Sequence, residues 1–177
     1  MSEAVLYRVG PDDTILEVGG AFERFARENG APALAQEAPG RRLWDYVLGD
    51  EVTHLWEVLL ADARAGSPVV VPYRCDADDK VRRMRMRLDP AGDGSVVFTS
   101  FIDEEAPRAP VPLFAVASIR HGNLLASCSW CRRFDVDGWV EAEEAVERLG
   151  ILSDVPPPPI THTICDDCRQ QVLAGHR

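Results

Sequence analysis

The chain has 177 residues, 46% of them hydrophobic, which is enough for a packed core in one or two domains. Acidic residues outnumber basic ones by 29 to 19, and the formal charge of −10 disfavours general binding to nucleic acid or to anionic membranes. No stretch reaches the roughly 20 apolar residues of a membrane span, and the N-terminus lacks a signal-peptide pattern. We therefore expect a soluble, cytoplasmic protein.

Residues 1–105 predict an α+β domain. A turn cluster, Gly-Pro-Asp-Asp, separates two apolar runs and predicts a hairpin. Helical periodicity follows twice, the second time with Asp50 placed to cap the helix, and three strand-like runs complete the domain. The expected elements are strands at Val5–Val9 and Thr14–Val18, helices at Ala21–Gly30 and Asp50–Gly66, and strands at Pro68–Cys75, Val81–Leu88 and Ser95–Ile102. We expect Trp44 and Trp56 to be buried in this domain.

The first domain resembles a PAS domain, the sensor module of bacterial signalling proteins. The resemblance rests on the element order, two strands followed by helices and three further strands, and on three short sequence segments. The segments are Phe25 to Gly30, Gly40 to Asp45 and Pro72 to Asp76. The resemblance covers about residues 3 to 103. It implies a five-stranded antiparallel sheet with flanking helices, and a ligand that the sequence leaves undefined (haem, flavin, a small metabolite or none). His54, the only histidine before residue 105, is expected on the surface rather than as a haem ligand.

The composition changes after the predicted sensor domain. Three prolines fall within Pro107 to Pro112, which predicts a stiff linker. The expected domains are therefore a PAS-like domain at 1–105, a linker at 106–112 and a cysteine-rich module at 113–177.

Four of the five cysteines form two Cys-x-x-Cys pairs, Cys128/Cys131 and Cys165/Cys168. Two such pairs supply the four thiolates that a tetrahedral metal site needs, each sulfur about 2.3 Å from zinc. We predict one structural zinc, with iron as the other metal that four thiolates hold. Two independent dithiols, or thiols that only pack, remain as alternatives. Cys75 is expected to be a small buried hydrophobic residue.

The module resembles a cysteine-rich tail found after PAS or receiver domains in bacterial signalling proteins. The matching features are Cys128-Ser-Trp-Cys131-Arg-Arg-Phe, then Trp139 after a turn, an acidic helix, and His162-Thr-Ile-Cys165-Asp-Asp-Cys168. The match covers about residues 124 to 172, and it departs from the family pattern at Thr161 and at the prolines 156–159. The family lends no catalytic activity.

Several residues near the cysteines have two interpretations. Arg132 and Arg133 either offset the charge of a zinc tetrathiolate or lie on the surface. His162 is either a further metal ligand, a hydrogen-bond donor to a thiolate or carbonyl, or a packing residue. The helix at Val140–Gly150 has an apolar stripe of Ala142, Ala145, Val146 and Leu149, and its glutamates could attract a basic partner or simply face solvent.

No hydrolase, metalloprotease, Walker or dinucleotide-binding motif occurs in the chain. We therefore expect a non-catalytic signalling or sensor protein that acts by contact with a signalling partner or by self-association through the PAS-like domain, for example as a homodimer. The alternative is a thiol-redox switch in which the two Cys-x-x-Cys pairs cycle between zinc-bound and disulfide forms.

Overall fold

Alternation of apolar and charged residues builds the strands of the first sheet. In the computed structural model, which describes residues 4–114, 124–151 and 157–174, Arg83, Arg85 and Arg87 are exposed while Met84, Met86 and Leu88 are buried. This is the period of two that the sequence predicts for a half-buried strand. The five strands are β1 Val5–Val9, β2 Ile15–Gly20, β3 Val69–Arg74, β4 Lys80–Pro90 and β5 Val96–Pro107.

These strands form one antiparallel sheet in the order β2-β1-β5-β4-β3. The β1–β2 hairpin and the β1–β5 pairing place Tyr7 opposite both Val18 and Phe98. Strands β2 and β3 lie at the two edges. The predicted α+β class and the five-stranded antiparallel sheet are thus confirmed.

Three helices lie between β2 and β3: α1 Phe22–Glu28, α2 Leu34–Glu37 and α3 Asp50–Arg64, with a 3-10 turn at Leu43–Asp45. Helix α3 buries Val52, Leu55 and Leu59 on one face. Asp50 is not its cap. Gly49 occupies that position with φ 93°, a conformation that glycine adopts without strain, and no side chain caps the helix.

Trp44 and Trp56, which are expected to be buried in this domain, are both half-buried. The Trp44 indole N–H donates to Asp13 Oδ2 at 2.8 Å, so its polar edge stays near the surface. Trp56 lines a cavity and lies 6.3 Å from the Phe98 ring, centroid to centroid. Amphipathic patterning shows which face of an element is apolar, but not how completely its neighbours cover it.

The described residues form two compact units. The first comprises Met1–Pro72 and Met84–Asp103, and the second comprises Tyr73–Arg83 and Glu104–Arg177. The expected division into 1–105, 106–112 and 113–177 differs from this one, because the end of the β3–β4 hairpin belongs with the cysteine-rich part. The segment 106–112, expected to be a linker, is partly built into the fold: β5 continues to Pro107, and Val111 is buried.

The second unit has a sheet of its own, in the order β8-β7-β6-β9. Its strands are β6 Leu125–Cys128, β7 Phe134–Asp135, β8 Trp139–Val140 and β9 Ile160–Thr163, joined by helix α4 Ala142–Leu149 and followed by α5 Asp166–Ala174. The sequence did not predict these strands, since runs of two to four residues are too short to show periodicity.

The core of this unit is small. Its buried residues are Val111, Leu113, Leu125, Phe134, Ala142 and Ala145. Gly150 ends α4 in the left-handed conformation, φ 62°, as predicted. Leu149, expected in the apolar stripe, is 42% exposed. A core of this size folds insecurely by itself, so a further stabilising element is expected.

Candidate metal centre

Parallel pairing of β6 with β9 brings the two Cys-x-x-Cys pairs together. The register pairs Cys128, at the end of β6, with Thr163, two residues before Cys165. Because parallel strands end at the same edge of a sheet, the turn that follows β6 lies next to the turn that follows β9. Two backbone bonds fix this junction: Ser129 N–H donates to Thr163 O at 2.9 Å, and Cys128 N–H donates to Arg133 O at 2.8 Å.

The four predicted cysteines form one cluster. The sulfur atoms of Cys128, Cys131, Cys165 and Cys168 all lie within 4.8 Å of one another. Sγ of Cys131 and Sγ of Cys165, which come from different pairs, are 3.8 Å apart. Four sulfurs at about 2.3 Å from a central zinc ion stand about 3.8 Å from each other. The donor set and its spacing thus fit a tetrahedral thiolate site.

The cluster is mostly shielded from solvent. Cys128, Cys165 and Cys168 are buried, while Cys131 is partly exposed, and none of the four is in a disulfide. The backbone N–H of Cys165 points at Cys128 Sγ, 3.4 Å away. A hydrogen bond of this kind stabilises a thiolate, because it delivers positive charge density to the sulfur.

The pKa values of the clustered cysteines indicate why the cluster would favour a bound cation. Hydrogen bonds from the Cys131 and Cys168 thiols lower the pKa of Cys128. Donating to Cys128 raises the pKa of Cys131 to about 12, and it also raises the pKa of Cys168. Four thiolates this close together repel one another strongly, so all four ionise together only around a positive charge.

Arg133 interacts electrostatically with two members of the cysteine cluster. Its pKa is raised by its hydrogen bond to Glu141 and also by the sulfurs of Cys131 and Cys165. Its guanidinium lies 3.5 Å from Asp167, inside the second Cys-x-x-Cys pair. Arg132 has a different environment: its guanidinium lies 4.8 Å from the Phe114 ring centroid, and burial lowers its pKa.

The remaining sequence candidates lie outside the cluster. His162 sits on β9 opposite Ser127 and is not one of the clustered ligands. Burial lowers its pKa, and the charge of Arg132 lowers it further. Cys75 is half-buried and also outside the cluster, and burial raises the pKa of its thiol. His54 is exposed, as expected.

An apolar cavity in the first unit was not predicted. It measures about 250 Å³ and lies between the sheet and the helices that follow β2. The lining includes Tyr7, Ile15, Phe22, Leu34, Ala38, Leu43, Tyr46, Val47, Trp56 and Phe98. Each element presents its apolar face here, so the sequence pattern showed the faces but not the space between them.

No protein-family model matches the sequence, and no curated protein matches it. Among the described residues, no helix is both long enough and apolar enough to cross a membrane.

Proposed function

We propose that the protein is a non-catalytic bacterial signalling protein, in which a PAS-like domain senses a small ligand or makes protein contacts and a single structural zinc stabilises the second unit. The observation that carries the sensing part is the apolar cavity of about 250 Å³ in the first unit. A concave apolar pocket with few polar groups is the usual form of a small-molecule site. Its lining favours a neutral, largely apolar ligand.

Zinc is proposed because the donor set consists of four thiolates at tetrahedral spacing. Zinc would be held by Cys128, Cys131, Cys165 and Cys168, and it would supply cross-linking and charge neutralisation. A four-thiolate shell leaves no open position for water or substrate, which supports a structural role over a catalytic one. Elemental analysis with an absorption spectrum of the purified chain tests this proposal. About one equivalent of zinc is expected, and a folded, metal-free second unit would contradict it.

The sensing proposal is tested with indole as a neutral probe, followed by shifts of the backbone amide signals in NMR. We expect saturable shifts at residues around the cavity. Ala38 is buried in the lining, so Ala38→Leu fills the space and should weaken binding at least tenfold. Ala61→Leu is the matched control on the exposed face of α3. Absence of saturable binding, or equal binding by both variants, would contradict the proposal.

The proposed contact with a signalling partner, or with a second copy in a homodimer, rests on the sensor domain rather than on helix α4. Glu141 pairs with Arg74 and Arg133, Glu143 with Arg108, and Glu144 with Arg148. Three of the four glutamates that could have attracted a basic partner thus pair within the second unit itself. A cytoplasmic location remains part of the proposal.

One observation favours the redox alternative. Cys131 is the partly exposed member of the cluster, and its sulfur lies 3.8 Å from that of Cys165. An oxidant could therefore reach Cys131 and join the two pairs in a disulfide, with release of the metal. Mild peroxide separates the two functions: a structural site keeps its zinc, whereas a redox switch releases zinc and regains it after reduction.

A further inference from the structure

We propose that the metal state of the four-cysteine cluster controls the order of the β3–β4 hairpin end, residues 73–79, so that the site regulates the end of the first sheet as well as stabilising its own unit. This inference rests on the proposed metal site. The hairpin end and both Cys-x-x-Cys pairs belong to the same compact unit.

A backbone bond joins the edge strand to the first cysteine pair. Arg74, the last residue of β3, donates its N–H to Trp130 O at 2.7 Å. Trp130 lies between Cys128 and Cys131 and is buried. Because β3 is an edge strand of the sheet that the described residues form, the outward N–H groups at its end need acceptors from outside this sheet. The turn that holds the metal ligands supplies the acceptor for Arg74.

A chain of ion pairs continues from the same residue to the second cysteine pair. Arg74 pairs with Glu141, which also accepts from Arg133 at 3.2 Å. Arg133 in turn lies 3.5 Å from Asp167, between Cys165 and Cys168. The hairpin end is therefore linked to both halves of the cluster. If the two Cys-x-x-Cys turns lose their conformation, Arg133 and Asp167 are no longer held in place, and the ion pairs that end at Arg74 should weaken.

The other supports of the hairpin end lead to the same core. Arg108 donates to Ala77 O at 2.6 Å, and Val111 N–H donates to Asp78 O at 2.9 Å. Val111 packs in the core with Leu125 and Phe134. Because this core is small, we expect its stability to depend on the metal. Loss of the metal should therefore loosen the supports of residues 73–79 together.

Loss of the metal should disturb strand β4 less than the hairpin end. Arg82 pairs with Glu105 at 2.7 Å, and Arg83 with Glu104 at 3.5 Å, so β4 is held by its neighbour β5. The expected effect is thus local to the edge side of the hairpin. Because coupling is reciprocal, weakening the hairpin contacts should also weaken metal binding by a comparable factor.

The test is amide hydrogen exchange by NMR on the full chain, with zinc bound and after removal by a chelator. We expect exchange at residues 74–79 to accelerate at least tenfold on metal removal, with less than a twofold change in the β1–β2 hairpin, residues 5–20. Unchanged exchange at 74–79, while the cysteine segments lose protection, would overturn the coupling and leave the metal site standing. Failure to take up zinc at all would overturn both proposals.

The reciprocal arm measures zinc affinity by chelator competition. Arg74→Gln removes the link to Glu141, and Arg85→Gln is the control, since Arg85 also pairs with a carboxylate in the same sheet but is exposed. We expect about two- to fivefold weaker zinc binding for Arg74→Gln and no change for Arg85→Gln. Far-ultraviolet circular dichroism confirms that each variant is folded. Equal affinity in a folded Arg74→Gln protein would contradict the reciprocity and with it the coupling.

Discussion

Asp76 and Arg108 lie 32 residues apart in the chain, and the Arg108 guanidinium donates to the Asp76 carboxylate at 3.3 Å. The Asp76 side chain is fully buried, and it also accepts from Arg74 and from the backbone N–H of Arg82. This carboxylate therefore connects three separate stretches of the second unit: β3, β4 and the segment after β5.

Removing this carboxylate should be costly, because the mostly buried guanidinium groups of Arg74 and Arg108 would lose the buried partner that they share. We expect Asp76→Ala to lower the free energy of unfolding by about 3–5 kcal/mol. Urea unfolding measures the change. Asp79→Ala, in the same turn but exposed, is the control and should change stability by no more than about 0.5 kcal/mol. Equal stability of the two variants would show that the carboxylate contributes little.

Serine at any one of the four clustered cysteines should remove a metal ligand. We expect Cys128→Ser to lose zinc and to unfold the second unit preferentially, because structural zinc contributes on the order of 10 kcal/mol to such a unit. Cys75→Ser is the matched control, since Cys75 lies outside the cluster. Elemental analysis and NMR spectra report the two effects. Retention of one zinc by Cys128→Ser would contradict the assignment of this ligand.

Phe98 anchors the core of the first unit. Its ring is 1% exposed and stacks on Tyr7 with centroids 4.6 Å apart. Phe98→Ala should lower stability by about 3–5 kcal/mol and enlarge the cavity. Phe101→Ala, on the same strand but 38% exposed, should cost about 1 kcal/mol or less. Thermal unfolding compares the variants, and similar losses of stability in both would argue against Phe98 as a core residue that forms part of the cavity wall.

His162 should make the stability of the second unit depend on pH. Its folded pKa is lowered by burial and by Arg132, so the folded state favours the neutral imidazole. The neutral imidazole therefore contributes to the free energy of unfolding. This contribution is fully present above the unfolded-state pKa of about 6.5 and is lost as the pH falls through the lower pKa of the folded state. We expect His162→Asn to flatten this part of the pH profile of thermal unfolding with zinc present. His54→Asn, an exposed site, should leave it unchanged; equal slopes in all three proteins would contradict the prediction.

Local patterns were enough to predict most elements of the first unit. The alternation of Arg83, Arg85 and Arg87 with buried neighbours predicted β4, and helical spacing predicted α3. The paired spacing of Cys128/Cys131 and Cys165/Cys168 predicted the cluster, because two such pairs together supply the four thiolates that one tetrahedral metal site needs. These predictions depend on residues close together in the chain.

The residues that sequence analysis missed act over long separations. Arg108 stood in a predicted linker, yet it is buried and binds Asp76, which had been noted only as part of a resemblance. The cavity residues Tyr7 and Phe98 were visible as apolar positions, but the space between them is set by how the sheet and helices pack. Pairing of oppositely charged residues across such distances leaves no periodic pattern in the sequence.

The amino-acid sequence by itself determined which four cysteines cluster, the order of strands and helices in the first unit, and the glycine at which α4 ends. Each of these follows from side-chain type and short-range spacing. Tertiary structure alone decided that β6 and β9 are parallel, so that Cys131 and Cys165 meet, and that the β3–β4 hairpin end joins the cysteine-rich unit. The physical reason is that strand pairing and buried ion pairs are selected by the packing of the whole unit, in which a contact between distant residues competes with every other way to bury the same groups.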